Sequence, residues 1–230
     1  GTHFMWENRD IRYNVLRAVG YYKGKAVVED ILVLNGLEQA PHFGILYQDT
    51  KPLLKGEDGY NYLYRINCGG DDFTDSFGQL WMQDNTNYSR SWATSFNELN
   101  PYLASQRTTS DPIRGSRDWK LFQHFRFGRH QLEYNFPVAD GMYRIEFYFT
   151  EPWHGTGGSA SADCEGLRIF DVAVNDSVVL DDLDIWAESG HDGACKKVVY
   201  AIVKGGLLKI HFPEVKAGQA LISGIAIASA

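Results

Sequence analysis

Two alternating segments on either side of a tight-turn dipeptide constrain the fold of this chain more than any other feature. Residues 132–138 alternate between apolar and polar side chains, residues 143–149 do so again, and Asp140-Gly141 lies between them. Alternation with a period of two is typical of a β-strand that buries one face, and Asp-Gly is typical of a two-residue hairpin turn. The sequence therefore predicts a β-hairpin here and a fold built from short strands.

Further short strands are predicted toward the end of the sequence. Asn175-Asp176 and Gly205-Gly206 supply two more tight turns among them. The predicted strands are 170–174, 178–180, 196–203, 207–212 and 221–228. Many short strands with turn signals between them favour an all-β sandwich over a βαβ arrangement.

Length, composition and charge limit the classes of function. The chain has 230 residues, 44% of them hydrophobic, which is enough for one large packed domain and a smaller appendage. The net charge is −7 at pH 7, which argues against a nucleic-acid partner, because such affinity comes largely from Lys and Arg. The longest apolar runs fall short of the ~20 residues that span a bilayer. We expect neither nucleic-acid binding nor membrane insertion.

The first 61 residues have a different sequence pattern from the rest of the chain. Residues 13–22 and 25–33 predict two strands joined at Lys23-Gly24. Two strands do not form a stable domain by themselves, so residues 1–36 are predicted to be a fragment of a preceding domain, or else extra edge strands of the sandwich. Residues 37–61 contain several turn-forming Pro and Gly and predict a linker. Residues 62–230 then form the main domain.

The motifs of common cofactor and metal sites are missing from the sequence. It has no P-loop, dinucleotide fingerprint, zinc spacing or nucleophile elbow. Asp71-Asp72 and Asp75 offer oxygen ligands without forming a recognised calcium loop, and the loops around His154 and His191 lack metal-ligand spacing. We therefore predict no cofactor and no metal.

The three cysteines do not resemble a disulfide framework, because they are odd in number and widely spaced. At least one is expected to be a buried thiol. Cys164 and Cys195 lie in predicted polar loops and could pair.

Six motifs in fixed order resemble the malectin-like family of carbohydrate-binding domains, of the type of carbohydrate-binding module family 57. In sequence order they are Ile66-Asn-Cys-Gly-Gly70, Trp81-Met-Gln-Asp84, Leu121-Phe-Gln-His-Phe-Arg-Phe127, Gly141-x-Tyr143 with Phe149-x-Glu151, Phe170-Asp-Val-x-Val-Asn175 and Asp182-Leu-Asp-Ile185. The resemblance covers residues 62–229. It implies an antiparallel, jelly-roll type β-sandwich with the N-terminal hairpin as an appendage.

The resemblance also implies a sugar site, built from loop aromatics and an aspartate. Residue by residue it points to Trp81 and Phe127 with Asp182 or Asp184. Phe127 stands where the family has a tyrosine, and Trp81 where it has a tyrosine or a histidine-tyrosine pair, so both positions lack the hydroxyl. Preference for a glucose disaccharide is therefore not carried over. A pyranose has apolar faces and a belt of hydroxyls, so the polar, aromatic and irregular stretch 76–118 adds further candidates. The candidate ligand-binding residues are Trp81, Asp84, Trp92, Tyr102, Trp119, Phe127, Asp182 and Asp184.

Structural roles compete with these assignments. A Trp or Phe in a β-sandwich is more often in the core than on a ligand, and Asp182 and Asp184 could bond to backbone in turns. Exposure of the aromatic candidates on one concave surface would favour sugar binding. Their burial would favour the alternative function, a structural spacer or protein-interaction β-sandwich without sugar binding.

An enzyme hypothesis requires two carboxylates flanking a glycosidic bond. Asp182 and Asp184 would project from one face of an extended strand with Cα atoms ~6.6 Å apart, but nothing near them would keep one protonated. We predict no catalytic residues. Glu151, at a strand end, is expected to tie down the loop after it.

The N-terminal hairpin, Val-Leu-Arg-Ala-Val-Gly-Tyr-Tyr-Lys-Gly-Lys from residue 15, resembles the last hairpin of immunoglobulin-like domains in family 2 glycoside hydrolases. The resemblance implies a C-terminal accessory domain of a bacterial, β-galactosidase-like hydrolase, with catalytic domains covalently linked to it. An oligo- or polysaccharide partner and an extracellular or periplasmic location are expected.

Overall fold

The fold was obtained as a computed structural model, which describes residues 5, 7, 9–50, 52–84, 93–94, 106–129, 132–155 and 163–230. Within these residues the chain is all-β, with two short helices, α1 (Trp119–Gln123) and α2 (Ile185–Ser189), and a 3-10 segment at Pro41–Tyr47. The strands are β1 (Val15–Tyr22), β2 (Lys25–Val33), β3 (Asn61–Cys68), β4 (Phe73–Thr74), β5 (Leu80–Asp84), β6 (Ala93–Thr94), β7 (Gln106–Thr108), β8 (His124–Gly128), β9 (Glu133–Pro137), β10 (Gly141–Phe149), β11 (Ile169–Val174), β12 (Ser177–Leu183), β13 (Cys195–Val203), β14 (Leu207–His211), β15 (Val215–Ala217), β16 (Ala220–Ile222) and β17 (Gly224–Ser229).

Two large sheets form the sandwich. The first has the order β13-β10-β17-β3-β5-β4, and the second has the order β12-β11-β14-β9-β6, with β15 also pairing with β11. Pairing is antiparallel except between β3 and β5, where Ile66 pairs with Met82 in parallel. A smaller sheet, β16-β8-β7, extends the structure at one side. The predicted all-β sandwich is confirmed.

The main core lies between the two large sheets. Alternate residues of β10 supply Ile145, Phe147 and Phe149 from one sheet, and Phe136 and Phe170 supply the facing layer from the other, all fully buried. Burial of each large apolar side chain contributes about 1.5–3 kcal/mol relative to exposure. This core fixes which faces of the strands are available to a ligand.

The prediction of a hairpin at Asp140-Gly141 is wrong. Strands β9 and β10 flank this dipeptide, but β9 pairs with β14 and β10 pairs with β13 and β17, so the connection crosses between sheets. The neighbouring crossover at Gly205-Gly206 explains why, because Gly206 N donates to Asp140 Oδ1 at 2.9 Å and Val138 N donates to Gly206 O at 3.2 Å. The two connections bond to each other instead of closing hairpins.

Two other strand predictions have different outcomes. The turn at Asn175-Asp176 does join a hairpin, β11 to β12, with Asn175 in the left-handed region at φ 51°. The predicted single strand 221–228 is wrong, because it is broken at Ser223 into β16 and β17, which belong to different sheets.

The N-terminal hairpin is present as a separate two-stranded sheet. Lys23 and Gly24 form its turn with positive φ angles of 49° and 77°. The strands β1 and β2 do not join either sandwich sheet within the described residues, so the edge-strand alternative is wrong. The hairpin contacts the rest of the chain through Val33, whose N–H donates to Ser110 O at 2.7 Å, and through the buried Asn14.

The segment predicted as a linker packs against the outer face of the first sheet. Leu54 is buried there with Trp81 and Tyr148, in a second apolar cluster. Lys196 Nζ donates to Leu53 O at 2.9 Å and Arg117 N donates to Asp49 Oδ1 at 2.7 Å. As a result β10 is buried on both faces.

The glycines of Ile66-Asn-Cys-Gly-Gly70 are required by close approach. A Cβ on Gly69, which has a φ of 77°, would lie 2.8 Å from Phe125 O, and one on Gly70 would lie 2.2 Å from Asn67 Nδ2. This motif therefore lets β3 end directly against β8.

All three cysteines are free and buried. The pairing considered for Cys164 and Cys195 is absent, whereas the expected buried thiol is confirmed. Burial raises the pKa of the Cys195 thiol to about 11.

Candidate functional site

Trp81 is a core residue. Its ring has no exposed surface, lies 5.2 Å from Tyr148 in an edge-on contact, and its Nε1 donates to Asp75 Oδ2 at 2.9 Å. A buried indole satisfied in this way offers no face to a sugar. The structure therefore corrects the placement of Trp81 in a ligand site.

Trp119 and Asp84 are also buried. Trp119 begins α1 and stacks on Tyr47 with ring centroids 4.6 Å apart, where the packed linker covers it. Asp84 accepts a hydrogen bond from Tyr134 Oη at 2.9 Å inside the sandwich. Neither side chain is available to a ligand in this conformation.

Asp182 and Asp184 have structural partners. Asp182, in the left-handed region at φ 49°, forms an ion pair with Lys216. Asp184 caps α2 through Oδ1, which accepts from Ala187 N, and its Oδ2 accepts from Gly166 N at 2.6 Å. The extended geometry that would place the two carboxylates on one face is not present, because the left-handed backbone of Asp182 interrupts the strand between them.

The remaining candidates are Phe127, Trp92 and Tyr102. Phe127 is half-buried in β8 and lines a cleft of about 540 Å³. Trp92 and Tyr102 lie outside the described residues. Among the described aromatic candidates, Phe127 is therefore the one that is accessible to a ligand, and it is accessible in this cleft.

The cleft lies over the small sheet. Its described lining comes from β7, β8, β16, the turn before β16 and the loop after β10; the residues are Arg107, Thr108, Thr109, Phe125, Phe127, Pro152, Trp153, His154, Arg168, Gly218, Gln219 and Leu221. Phe125 and Leu221 are buried and form an apolar floor. At the rim Trp153 is 73% exposed, which is unusual for a side chain of this size.

A buried ion pair fixes the rim. Glu151 is fully buried and faces Arg168, with Arg168 Nε 2.5 Å from Glu151 Oε2. Glu151 Oε1 also accepts from the backbone N–H groups of Trp153 and His154, each at 3.0 Å. Arg168 Nη1 donates to Gln219 O at 2.6 Å on the opposite side of the cleft. The prediction that Glu151 ties down the following loop agrees with these bonds.

The described lining carries positive charge. Arg107 is exposed, with its guanidinium carbon 5.9 Å from the Phe127 ring centroid, and none of the described lining residues is Asp or Glu. Arg168 is neutralised by Glu151. Arg107 thus supplies the positive charge near the aromatic surface, and Thr108, Thr109, His154 and Gln219 are the neutral polar residues of the described lining.

Sequence reasoning missed Trp153 and Arg107 as cleft residues. Trp153 had a usable signal, since it lies shortly after the predicted strand 143–149, in a Pro- and Gly-containing loop. Arg107 had none, because its place in the cleft depends on the pairing of β7 with β8.

The two large sheets and the aromatic cleft beside them place this chain in the class of β-sandwich domains that present a ligand cleft. The sequence pattern of the malectin domain matches residues 62–229, and the chain belongs to this family. Malectin from Danio rerio is 26% identical over 150 residues, covering 65% of this chain and 47% of that protein. Malectin from Mus musculus is 26% identical over 149 residues, covering 64% and 45%. The chain spans about half the length of these curated relatives.

Solved structures share the fold. A β-glucuronidase from Bacteroides uniformis superimposes with a TM-score of 0.56 at 24% identity, over 93% of this chain and 22% of that one. The ectodomain of ANX2 from Arabidopsis thaliana, a plant receptor-like kinase, gives 0.57 at 16% identity, over 80% and 54%. Neither α1 nor α2, nor any other helical segment of the described residues, has the length and hydrophobicity of a membrane-spanning helix.

Proposed function

We propose that this chain is a non-catalytic carbohydrate-binding domain and that the cleft lined by Phe127 and Trp153 holds the sugar. The observation that carries the proposal is the exposed indole of Trp153 at the rim of a cleft with an apolar floor. An indole face stacks on the C–H face of a pyranose, while neighbouring hydroxyl and guanidinium groups bond to its hydroxyls. The anchoring of the loop by Glu151 keeps this surface formed before the sugar arrives.

The charge of the cleft favours a sugar with an anionic group. Arg107 lies on the open side, and no carboxylate of the described lining opposes it. A uronic acid or sulfated sugar would gain a charge-assisted hydrogen bond from this guanidinium, which a neutral sugar would not.

The lack of a suitable carboxylate pair supports a non-catalytic role. Glycoside hydrolysis requires an acid and a second carboxylate on either side of the bond. Glu151 is occupied by Arg168 and two backbone donors, and Asp182 and Asp184 are held by Lys216 and by backbone N–H groups. Within the described residues, the cleft therefore offers contacts and no acid–base pair.

The context we propose is a C-terminal accessory domain of a bacterial family 2 type, β-galactosidase-like glycoside hydrolase, located extracellularly or in the periplasm. The amino-acid sequence of the N-terminal hairpin, together with the six malectin-like motifs that follow it, supports this context. The fold shared with the β-glucuronidase agrees with this context without adding a substrate. The covalently linked catalytic domains remain part of the proposal.

A glycan array tests the sugar site. Wild-type protein should be retained by a subset of glycans with a Kd of about 1 μM to 1 mM, a typical range for open clefts. Trp153→Ala should abolish retention without changing the circular dichroism spectrum. Tyr21→Ala removes an equally exposed aromatic residue from the hairpin and serves as the matched control. Retention that survives Trp153→Ala and Phe127→Ala would reject this cleft.

The burial of Trp81 and Trp119 favours a second candidate, a structural spacer that does not bind sugar. The same array separates the two functions. A folded wild-type protein that no glycan retains would support the spacer and overturn the binding proposal.

A further inference from the structure

Three side chains meet in a second cleft, which adjoins the proposed sugar site at Thr108 and Thr109. Asp111, His191 and Asp192 lie in an opening of about 640 Å³ between strand β2 and the sandwich. Their ligand atoms, two carboxylate oxygens and one ring nitrogen, all lie within 4.8 Å of one another. Asp111 is distant in sequence from the other two, so spacing along the chain gave no sign of the cluster.

Backbone pairing brings these residues together. Arg114 N donates to Asp192 O at 2.8 Å, Ala194 N donates to Arg114 O at 2.9 Å, and Asp192 N donates to Glu151 O at 2.9 Å. Thr109 Oγ1 donates to Asp111 Oδ2 at 2.9 Å, which fixes that carboxylate. The backbone around Asp192 and the carboxylate of Asp111 are thus held by hydrogen bonds between loops.

The orientation of His191 leaves one ring nitrogen facing the carboxylates. Its Nδ1 lies 3.1 Å from Glu151 O and must donate to it, since a carbonyl oxygen only accepts. In the neutral ring Nε2 then carries a lone pair, and it lies 2.9 Å from Asp192 Oδ2. A lone pair and a carboxylate oxygen repel at this distance, so the contact requires a proton or a metal ion between them.

Asp192 supplies the second observation. The residue is 7% exposed, and its Oδ1 has no hydrogen-bond partner among the described residues. Desolvation of an unpartnered buried carboxylate oxygen is unfavourable, and a cation at this point would offset it.

We propose that Asp111, His191 and Asp192 bind one divalent transition-metal ion of the zinc class. One imidazole nitrogen and two carboxylates suit Zn²⁺, which takes three protein ligands and water, whereas Ca²⁺ prefers an all-oxygen set. Atoms bound to one Zn²⁺ at about 2.0–2.2 Å lie about 3–4.4 Å apart, which small side-chain rotations reach from the observed arrangement. The bond from Nδ1 to a backbone carbonyl is the outer-shell contact that orients histidine ligands in metal sites.

Two other features bear on the choice of metal site: the charge of Arg114, and a second cluster of carboxylates. Arg114 donates its Nη2 to the carbonyls of Ser189 and His191 rather than to these carboxylates. The cluster of Asp171, Asp181 and Asp182 has no nitrogen ligand, and Lys216 already pairs with Asp182. It is therefore a suitable control for adventitious binding.

Metal at this site would stiffen the sugar cleft from behind. The His191 ring bonds to Glu151 O. The His191 side chain also packs against Gly155, because a Cβ added to Gly155 would lie 3.0 Å from His191 Cβ. Glu151 and Gly155 delimit the loop that carries Trp153. The inference concerns metal binding alone and does not depend on the proposed sugar site.

The test is calorimetric titration of the full 230-residue chain, freed of metal by chelator, with zinc chloride. Wild type should bind about one equivalent, and at 100-fold excess over Kd its Tm should rise by about 5–10 °C. Asp192→Asn and Asp111→Asn should each weaken binding at least ~10-fold. In Asp192→Asn the new amide can donate to His191 Nε2, so this variant should stay folded. Asp182→Asn should bind as wild type does.

Zinc binding that Asp111→Asn and Asp192→Asn reduce and Asp182→Asn leaves intact supports the site. Two outcomes overturn it: no saturable binding up to about 1 mM zinc, or binding that is equal in wild type and both cluster variants. In the first case a proton shared between His191 and Asp192 explains their contact.

Discussion

Arg168 and Glu151 form a two-pronged pair, with Nε 2.5 Å from Oε2 and Nη2 3.2 Å from Oε1, and almost no surface of either side chain is exposed. Each partner also bonds to backbone, Glu151 to the loop of Trp153 and Arg168 to Gln219 O. The pair therefore connects the two sides of the cleft.

Removal of one partner should be strongly destabilising. Arg168→Ala leaves the Glu151 charge buried without its counter-ion, and we expect a loss of about 3–5 kcal/mol in the free energy of unfolding. Urea denaturation measures it. Lys209→Ala, which breaks the more exposed pair with Glu133, should cost at most about 1 kcal/mol. Equal effects of the two substitutions would contradict the role given to burial.

Trp81 and Trp153 should respond in opposite ways to substitution by alanine. Trp81→Ala empties a core position and should cost about 3–5 kcal/mol of stability. Trp153→Ala changes an exposed ring and should stay within about 0.5 kcal/mol of wild type, while sugar retention is lost. Both predictions are checked by measuring thermal unfolding and glycan binding on each variant. A stable Trp81→Ala protein would show the core assignment to be mistaken.

Glu146 should make stability depend on pH. Burial raises the pKa of this carboxyl, but hydrogen bonds from Tyr148 and Lys196, the Lys196 charge and Tyr62 outweigh burial and lower the pKa below its ordinary 4.5. Its contribution is therefore present above the unfolded pKa and is lost as the pH falls through the folded value. Urea midpoints between pH 7 and pH 3 should drop less steeply in Glu146→Gln than in wild type. Asp176→Asn, in an exposed turn, should keep the wild-type slope.

Arg107 should select for anionic sugars. Arg107→Gln should weaken retention of uronic acid or sulfated glycans by about two- to five-fold, as expected for an exposed charge pair, and should affect neutral glycans less. Rising salt should reduce the difference. Arg117→Gln removes an exposed arginine outside the cleft and should change neither. Equal losses of affinity for neutral and anionic glycans would contradict this prediction and would indicate that Arg107 acts through packing rather than through its charge.

Local patterns predicted strands well and sheet membership poorly. The alternation of residues 143–149 locates β10 to within two residues at its start, because one face of a strand must meet the core. Asp140-Gly141 favours a sharp turn whichever strands it joins, and the partner of each strand depends on the bonds of Gly206, which are distant in sequence. Pairing therefore could not be deduced from the turn.

The site was only partly predictable for a related reason. An aromatic side chain serves a core or a cleft equally well, and Trp81 was assigned to the cleft because of its motif, without its partner Asp75. Phe127 has the same kind of signal and does line the cleft. The cluster of Asp111 with His191 exists only through the pairing of Arg114 with Gly193, which a single sequence does not show.

The place of β17 has a consequence for synthesis on the ribosome. Residues 224–229 follow every other described strand in sequence, yet they lie between β10 and β3 in the middle of the first sheet. Until this segment leaves the exit tunnel, the nascent chain carries two unpaired inner edges from strands made much earlier. Exposed strand edges are templates for pairing with other chains, so we expect the incomplete polypeptide to be more prone to aggregation than the finished domain.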